Sequence, residues 1–402
     1  MSTNDLYTEK PSSIVVYSTT WCPDCKRAKK FFGEQRVQYI TVDIEQDSKG
    51  MKFVEKINDG KHVIPTIVFP DGGVLVEPSN AELAEKLGLQ TKARQSYYDS
   101  IVIGSGPAGL TAALYMAREG LDTLVIEKGG VGGQIGTTTI VENFPGFVNG
   151  IPGAEFADRL AQQAQRFGVE ILQAQEVNEI SREGQYLCVT TSDGNSYGSK
   201  AVLLASGASY RRMNIPGEEE LIGTNIHFCA TCDGAFYKDK KVLVIGGGNS
   251  GFEEGLFLTK FASQVDIVEF APQVKASQIL KDKVASRDDM HVTVNHAVKE
   301  FHGKNKLEEV VVEDRASGEI KTWNYDGVFV FIGLTPNSDL VKDNAELDRG
   351  GFIVADKMHT SMEGVFAAGD VRSGSTKQAA AAAGEGATAA LMIREYLQSL
   401  GE

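Results

Sequence analysis

DSIVIGSGPAGLTAALYMARE, residues 99–119, sets a run of strand-forming residues against a glycine-rich turn and then a helical pattern. Gly104, Gly106 and Gly109 fit G-x-G-x-x-G between strand and helix, with Pro107 and Ala108 at the helix mouth, where bare backbone can approach a pyrophosphate at the positive helix end. The next strand, TLVIE, ends in Glu127, 23 residues after Gly104, where a carboxylate can bond both hydroxyls of a ribose. The pattern returns at 241–260, KVLVIGGGNSGFEEGLFLTK, with Gly246, Gly248 and Gly251, and its partner strand VDIVE ends in Glu269, again 23 residues on. The first glycines of the two turns lie 142 residues apart. Such a repeat implies an α/β protein with two bound nucleotides.

The carboxylate of Glu269 favours an unmodified ribose and repels a 2′-phosphate, whereas a phosphate-bearing cofactor would want arginines. Phe270, Ala271 and Pro272 offer none, and Lys275 is the nearest base in the chain. NADH is therefore expected over NADPH. The alternative is that Glu269 faces solvent and Lys275 reaches a phosphate.

A length of 402 residues suggests two or three domains, and 42% hydrophobic with 23% charged residues is ordinary for a folded globular protein. A net charge of −14 argues against nucleic acid or an anionic membrane as partner. The apolar stretch Ala379 to Ala383 is broken by Gly384, Glu385 and Gly386, so no membrane helix is expected. Five cysteines are too few for a disulfide scaffold and the start MSTNDLYTEKPSS has no signal pattern, so the expected compartment is the cytoplasm.

Residues 1–96 are charge-balanced, with 13 basic and 13 acidic residues, which puts the whole excess of −14 downstream and marks a separate amino-terminal unit. In it, 14–18, 39–44, 66–69 and 74–76 read as strands, Cys22 to Phe32 as a helix, and Ala81 to Leu87 as a helix capped by Asn80, in the order β-α-β-α-β-β-α of a small thioredoxin-type fold. Gly88 to Ser96 is polar without apolar period and reads as a flexible tether, whose nine residues would span about 15–18 Å and give a linked carrier a millimolar effective concentration.

Four of the five cysteines form two CxxC pairs, Cys22–Cys25 and Cys229–Cys232, a spacing at which sulfurs meet as a disulfide or share a metal. A structural zinc site would bring its two pairs about 15–20 residues apart. Here 203 residues separate Cys25 from Cys229 and no histidine cluster accompanies either pair, so no metal is expected. Cys22 follows a strand and opens a helix, with Lys26, Arg27, Lys29 and Lys30 adding positive field, so a lowered thiol pKa is expected. Cys25 is placed to resolve a mixed disulfide. Pro65, a candidate cis-proline after Ile64, would leave a backbone edge beside the pair for an extended substrate. Cys188, in YLCVT, reads as inert core, and His227 as local packing.

Taken together with Cys229-Ala-Thr-Cys232-Asp233-Gly234, residues 97–402 resemble the low-molecular-weight thioredoxin reductases throughout. Matching segments include Gly132-Gly133-Gln134, Val141-Glu142-Asn143-Phe144-Pro145-Gly146, Gly246-Gly247-Gly248-Asn249-Ser250 and Gly364-Val365-Phe366-Ala367-Ala368-Gly369-Asp370. The resemblance implies FAD in the first nucleotide unit, with Gln134, Asn143 and Lys377-Gln378-Ala379 lining the flavin and Asp370 on its ribityl chain; the family usually has Arg where Lys377 stands. The second site departs from that family, whose His-Arg-Arg and further Arg are replaced by Glu269 to Pro272 and Lys275. That stretch, with Ala276, Gln278-Ile279-Leu280 and Gly384-Glu385-Gly386, looks like the alkyl hydroperoxide reductase flavoprotein, a sister family that prefers NADH. Residues 11–90 are similar to glutaredoxins, nearest the mycoredoxin-like branch through Trp21-Cys22-Pro23-Asp24-Cys25, Pro65 and Pro78-Ser79, although the glutathione-binding Gly-Gly and acid are replaced by Glu77-Pro78 and Asn80.

The resemblances divide the chain into a glutaredoxin-like domain at 1–90, a linker at 91–96, an FAD domain at 97–213 and 338–402, and an inserted NADH domain at 214–337 that rotates on hinges near Met213 and Pro336-Asn337. They imply a relay from NADH through FAD and Cys229–Cys232, with Asp233 as general acid, to Cys22–Cys25. If the pairs lie near the thioredoxin and glutaredoxin ranges, that last exchange is downhill by roughly 2–3 kcal/mol. The final acceptor would be a thioredoxin-like protein, a peroxiredoxin or a low-molecular-weight disulfide, and a homodimer is expected. Two other readings stay open: a peroxiredoxin reductase, and a redox-sensing interaction protein without turnover.

Overall fold

Ile14 to Tyr17 is apolar at every position, and a strand that is apolar on both faces needs cover on both sides. The computed structural model shows that cover; it describes residues 5–401 except 139, 142, 223, 229 and 305, with backbone alone at 137, 210, 231, 232 and 235. The amino-terminal unit runs β1 (Ile14–Ser18), α1 (Pro23–Glu34), β2 (Tyr39–Asp43), α2 (Ser48–Ile57), β3 (Thr66–Val68), β4 (Val74–Val76) and α3 (Asn80–Lys86). Its sheet has the order β2-β1-β3-β4, with β1 parallel to β2 and antiparallel to β3. Alternation along β1 does the sorting: Val16 packs with Phe31, Phe32 and Leu83 of α1 and α3, whereas Val15 and Tyr17 pack with Phe53 and Val54 of α2.

The cap expected at Asn80 is one residue early in the chain. Ser79 takes the amide of Glu82 on its hydroxyl while the Glu82 carboxylate accepts from the Ser79 amide at 2.7 Å, a reciprocal capping box, and Asn80 is the first helical residue.

The second body begins with β5 (Tyr97–Ile103), α4 (Pro107–Arg118), β6 (Thr123–Ile126), α5 (Gly153–Arg166), β7 (Glu170–Leu172), β8 (Val177–Glu183), β9 (Tyr186–Thr191), β10 (Ser196–Leu204) and β11 (Ala208–Tyr210). The chain then builds a separate parallel sheet through α6 (Glu218–Leu221), β12 (Ile226–His227), α7 (Ala230–Asp233), β13 (Lys241–Ile245), α8 (Asn249–Leu258), β14 (Gln264–Val268), α9 (Gln278–Ala285) and β15 (Met290–Thr293). An antiparallel sheet of β16 (His296–His302), β17 (Glu309–Asp314) and β18 (Ile320–Trp323) follows, then β19 (Gly327–Val330) and β20 (Leu334–Pro336). Finally β21 (Val365–Ala367) and α10 (Ala379–Ser399) return to the first sheet, where β21 lies parallel to β10. The inserted sheet has the order β12-β19-β13-β14-β15.

The two crossings between these sheets run side by side. β11 and β20 pair antiparallel, and Asn337 ties the ribbon, donating to the Ser206 carbonyl at 2.8 Å and accepting from the Ser209 hydroxyl at 2.7 Å.

The polar stretch before β5 is held, not loose. The Gln173 amide donates to the Gln90 carbonyl at 2.8 Å, the Arg94 amide to the Glu170 carboxylate at 3.0 Å, and the Ala93 amide to the Tyr197 hydroxyl at 3.3 Å. Glu170 is buried and also accepts from the Tyr98 hydroxyl at 2.5 Å. Buried acceptors need donors, and this segment provides them. Among the described residues no helix is long and apolar enough to cross a membrane.

Candidate functional site

At the first glycine turn the chain folds so tightly that side chains are excluded. Gly104 has φ 102°, and a Cβ there would meet the Ala205 carbonyl; one on Gly109 would overlap the Gly104 carbonyl, while Gly106 faces open space. Gly106 caps α4, with Pro107 and Ala108 as its first residues, so bare amides stand at the helix's positive end. Glu127 directly follows β6 and its carboxylate takes the Ser105 amide at 2.8 Å and the Gly129 amide at 2.7 Å.

Across the turn, Gly369 and Asp370 follow β21. The Gly369 amide bonds Glu385, which is clamped by Arg372 at 2.8 and 3.1 Å. Gly386, without a side chain, lets α10 rest on the Ala108 carbonyl. Asp370 Oδ1 is buried with no hydrogen-bond partner. Burial pushes the Asp370 carboxyl above the usual range, Lys377 opposes the shift and Glu385 adds to it. An orphaned carboxylate oxygen beside a bare pyrophosphate-type turn fits a hydroxyl-bearing chain such as that of FAD. Lys377 donates to the Arg372 carbonyl at 3.0 Å and lies over the Phe352 ring, and burial lowers its pKa. Asn143 and Gln378, predicted to line the flavin, bond each other at 2.9 Å. Gln134 sits in a short helical turn over Gly133–Thr137, and Ala379 begins α10.

The second turn repeats the design. Gly246 has φ 123°, a Cβ on Gly251 would overlap its carbonyl, Gly248 caps α8 and faces open space, and Asn249 and Ser250 open that helix. Glu269 does not project into solvent: its carboxylate accepts from the Gly247 amide at 2.5 Å and the Ala271 amide at 2.8 Å. The Lys275 amide bonds the Gly247 carbonyl at 2.8 Å, which holds the backbone of this residue at the turn. A second base, Arg315, comes from beyond β17: its guanidinium covers the Phe270 ring at 3.6 Å and donates to the Phe270 carbonyl. A sequence separation of 45 hid it.

Cys22 and Cys25 form a disulfide, with Cα atoms 5.3 Å apart. Cys22 is the N-cap of α1 and its sulfur accepts the Cys25 amide at 3.0 Å, so the amide and the helix's positive end would favour the thiolate once the bond opens. The surrounding cations are partly neutralised, Arg27 by Asp24 and Lys30 by Glu34. The Ile64–Pro65 bond is cis, and the Ile64 carbonyl lies 3.8 Å from Cys22 Sγ. Trp21 is 62% exposed beside the pair and donates to Glu45.

Of the other pair, Cys229 lies outside the described residues, as does Glu142 of the flavin-side segment, and Cys232 is placed by its backbone in α7. Asp233, its neighbour, is not isolated. His227 Nδ1 lies 3.2 Å from the Asp233 carboxylate and its Nε2 lies 2.7 Å from the Tyr237 hydroxyl. His227 is therefore packed, as expected, but also fixes the candidate acid; burial pushes Tyr237 up to about 12. Cys188 differs from its reading as core: on β9 the buried positions are Leu187, Val189 and Thr191, and Cys188 points to the half-buried face.

The carrier domain sits on the second body by its base. Beyond the end of α1, the Glu34 carbonyl accepts from the Gly130 amide at 2.6 Å and Gln35 donates to the Lys128 carbonyl at 3.1 Å. Arg36 donates to the carbonyls of Val131 and Gly133. Cys22 caps the opposite end of this 12-residue helix, which is about 18 Å long. The disulfide thus stands at the far end of α1 from the contact.

Residues 98–386 match the family model described as pyridine nucleotide-disulphide oxidoreductase, and 14–75 match the glutaredoxin model. A protein of Mycobacterium leprae named bifunctional thioredoxin reductase/thioredoxin is 43% identical over 307 residues, covering 76% of this chain and 67% of that one. The thioredoxin reductase of Bacillus subtilis is 39% identical over 312 residues, covering 77% and 98%. The crystal structure of Lactococcus lactis thioredoxin reductase in its FR conformation superposes with a TM-score of 0.73 at 36% identity, over 75% of this chain and 99% of that one.

Proposed function

Because this chain belongs to the pyridine nucleotide-disulphide oxidoreductases, as a flavin disulfide reductase of the thioredoxin reductase type, we propose that its glutaredoxin-like domain is the built-in outlet for the electrons. The observation that carries this reading is the Cys22–Cys25 disulfide, mounted on a helix N-terminus beside cis-Pro65 in the same chain as two nucleotide turns. FAD, held by the first turn, Glu127 and Asp370, would supply the two-electron exchange between a reduced nicotinamide and a disulfide. The chain's own residues bind, orient and deliver.

In this reading Asp233 holds the proton exchanged with the Cys229–Cys232 thiols, and His227 keeps its carboxylate in place. A thiolate of that pair attacks the Cys22–Cys25 bond, a mixed disulfide forms, and the second thiolate resolves it. Cys229–Cys232 is left oxidised, and Cys22 and Cys25 have gained two electrons and two protons. Because the docked domain turns its disulfide away from the contact, loading uses an undocked carrier or that of a second copy in a homodimer, and the paired β11–β20 ribbon is the hinge for the inserted domain. The reduced Cys22 then meets a disulfide-bearing protein of thioredoxin or peroxiredoxin type, or a small disulfide, along the edge left by Ile64 and Pro65. The M. leprae relative is likewise named for a reductase and a thiol carrier in one chain.

The electron donor in this proposal is NADH, on the ground that Glu269 directly follows β14, where a 2′-phosphate would meet a carboxylate. The parent should show kcat/KM for NADH at least about tenfold above NADPH, and Glu269→Arg should move the ratio towards NADPH, a shift of about 1.4 kcal/mol per tenfold. Equal use of both by the parent, with Arg315 or Lys275 meeting the phosphate, would overturn the assignment. Steady NADH oxidation on adding a protein disulfide, with none in its absence, tests the reductase reading as a whole; no turnover with any disulfide would favour the sensing role.

A further inference from the structure

Residues 128–136, KGGVGGQIG, hold five glycines in nine positions. They run on from Glu127 and include Gln134, so this is the segment that must be ordered for the first nucleotide site to take its cofactor. Glycine loses more conformational freedom on ordering than any other residue. Left alone, such a loop would weaken any ligand that has to organise it.

The carrier domain organises it. The Glu34 carbonyl takes the Gly130 amide, and Arg36 donates to the carbonyls of Val131 and Gly133. Its guanidinium fills the space in front of Gly136, where a Cβ would overlap it. Arg36 works from the back of the loop: a Cβ on Gly132 would meet Ala157 of α5 and, beyond it, Arg36, whereas one on Gly133 would face Gly106 of the nucleotide turn. The positive charge is held between Glu127 and Asp158, whose charges oppose the drop in pKa that burial imposes on it.

The backbone at Arg36 points the same way. Arg36 has φ 56°, directly after the Gln35 cap, and the bonds from the Arg36 amide to Gly33 and the Val37 amide to Phe32 form the helix-ending motif that favours glycine. An arginine in a left-handed position is strained, so the carrier domain on its own would be better served by glycine.

We propose that Arg36 is a positioning residue for the cofactor loop, so that docking of the carrier domain and binding of FAD strengthen each other. This rests on the reading that FAD occupies the first nucleotide site. By linkage, whatever docking adds to FAD affinity FAD adds to docking, which makes the seated carrier a property of the loaded protein.

The test uses the full chain stripped of flavin and titrated with FAD, with binding followed by flavin fluorescence, for the parent, Arg36→Ala, Arg36→Lys and Arg36→Gly. FAD should bind about tenfold more weakly to the Ala and Gly variants and at an intermediate strength to Lys, which can still donate to a carbonyl. Arg36→Gly should at the same time leave the carrier's unfolding midpoint unchanged or raised, which a merely structural role for Arg36 does not allow. FAD should also slow proteolysis within 88–96 in the parent and not in Arg36→Gly. FAD affinity within twofold of the parent in both Ala and Gly overturns the proposal alone. A parent chain that takes up no FAD overturns the assignment of the site and the proposal with it.

Discussion

Cys22→Ser should abolish the reduction of protein disulfides while leaving the flavin reducible by NADH. The sulfur of Cys22 caps α1 and accepts the Cys25 amide, so it is the atom in the pair that the helix end and a backbone donor stabilise as an anion. Serine keeps the cap but is not a nucleophile at neutral pH without an adjacent base to take its proton. We expect turnover with a protein disulfide to fall by about 100-fold or more, measured as NADH oxidation, with bleaching of the flavin absorbance by NADH unchanged in rate. Cys25→Ser should instead trap the acceptor as a mixed disulfide on Cys22, since the resolving thiol is gone. If Cys22→Ser reduces every protein disulfide as fast as the parent, the amino-terminal domain is not the outlet and the body serves its acceptors directly.

Asp370→Ala should separate stability from cofactor binding with opposite signs. Asp370 Oδ1 is buried without a partner, and burial raises the carboxyl's pKa. A buried polar group left unpaired costs about 1–3 kcal/mol, and that cost is borne by the empty protein. Removing it should leave the flavin-free protein at least as resistant to urea as the parent, by about 1 kcal/mol after the small cavity is charged against it. Binding of FAD should weaken by about 10- to 100-fold, the worth of a hydrogen bond to a charged group, and the purified protein should be pale. A variant that holds FAD as tightly as the parent would remove Asp370 from the site.

Much of this was legible in the chain because it is local. The strand, the turn glycines and the acid 23 residues on are all read within one βαβ unit, and the packing at Gly109 and Gly251 against the first glycine of each turn is the physical reason for that spacing. The cis-proline is legible from its place before β3 beside a CxxC helix. Contacts between distant segments left no such mark. Arg36 looks like one more base after a lysine-rich helix, and only its φ of 56° and its bonds to Val131 and Gly133 reveal its use. A buried imidazole such as that of His227 gives no sign in sequence of which carboxylate lies at 3.2 Å. The stretch 88–96 is polar, and polarity alone does not distinguish a solvated tether from a segment whose amides serve a buried acid such as Glu170. Leu187, Cys188 and Val189 are all apolar, so the alternation that turns Cys188 off the core face is not visible in the letters.

Electrons should pass through one sulfur pair to reach the other. Anaerobic incubation of the oxidised full chain with NADH, followed by acid quench, alkylation and mass spectrometry of the peptide bearing Cys22 and Cys25, reads this directly. That peptide should carry two alkyl groups in the parent and remain a disulfide in Cys232→Ser. Reduction of Cys22–Cys25 to the same extent in Cys232→Ser, or none in the parent, would contradict it.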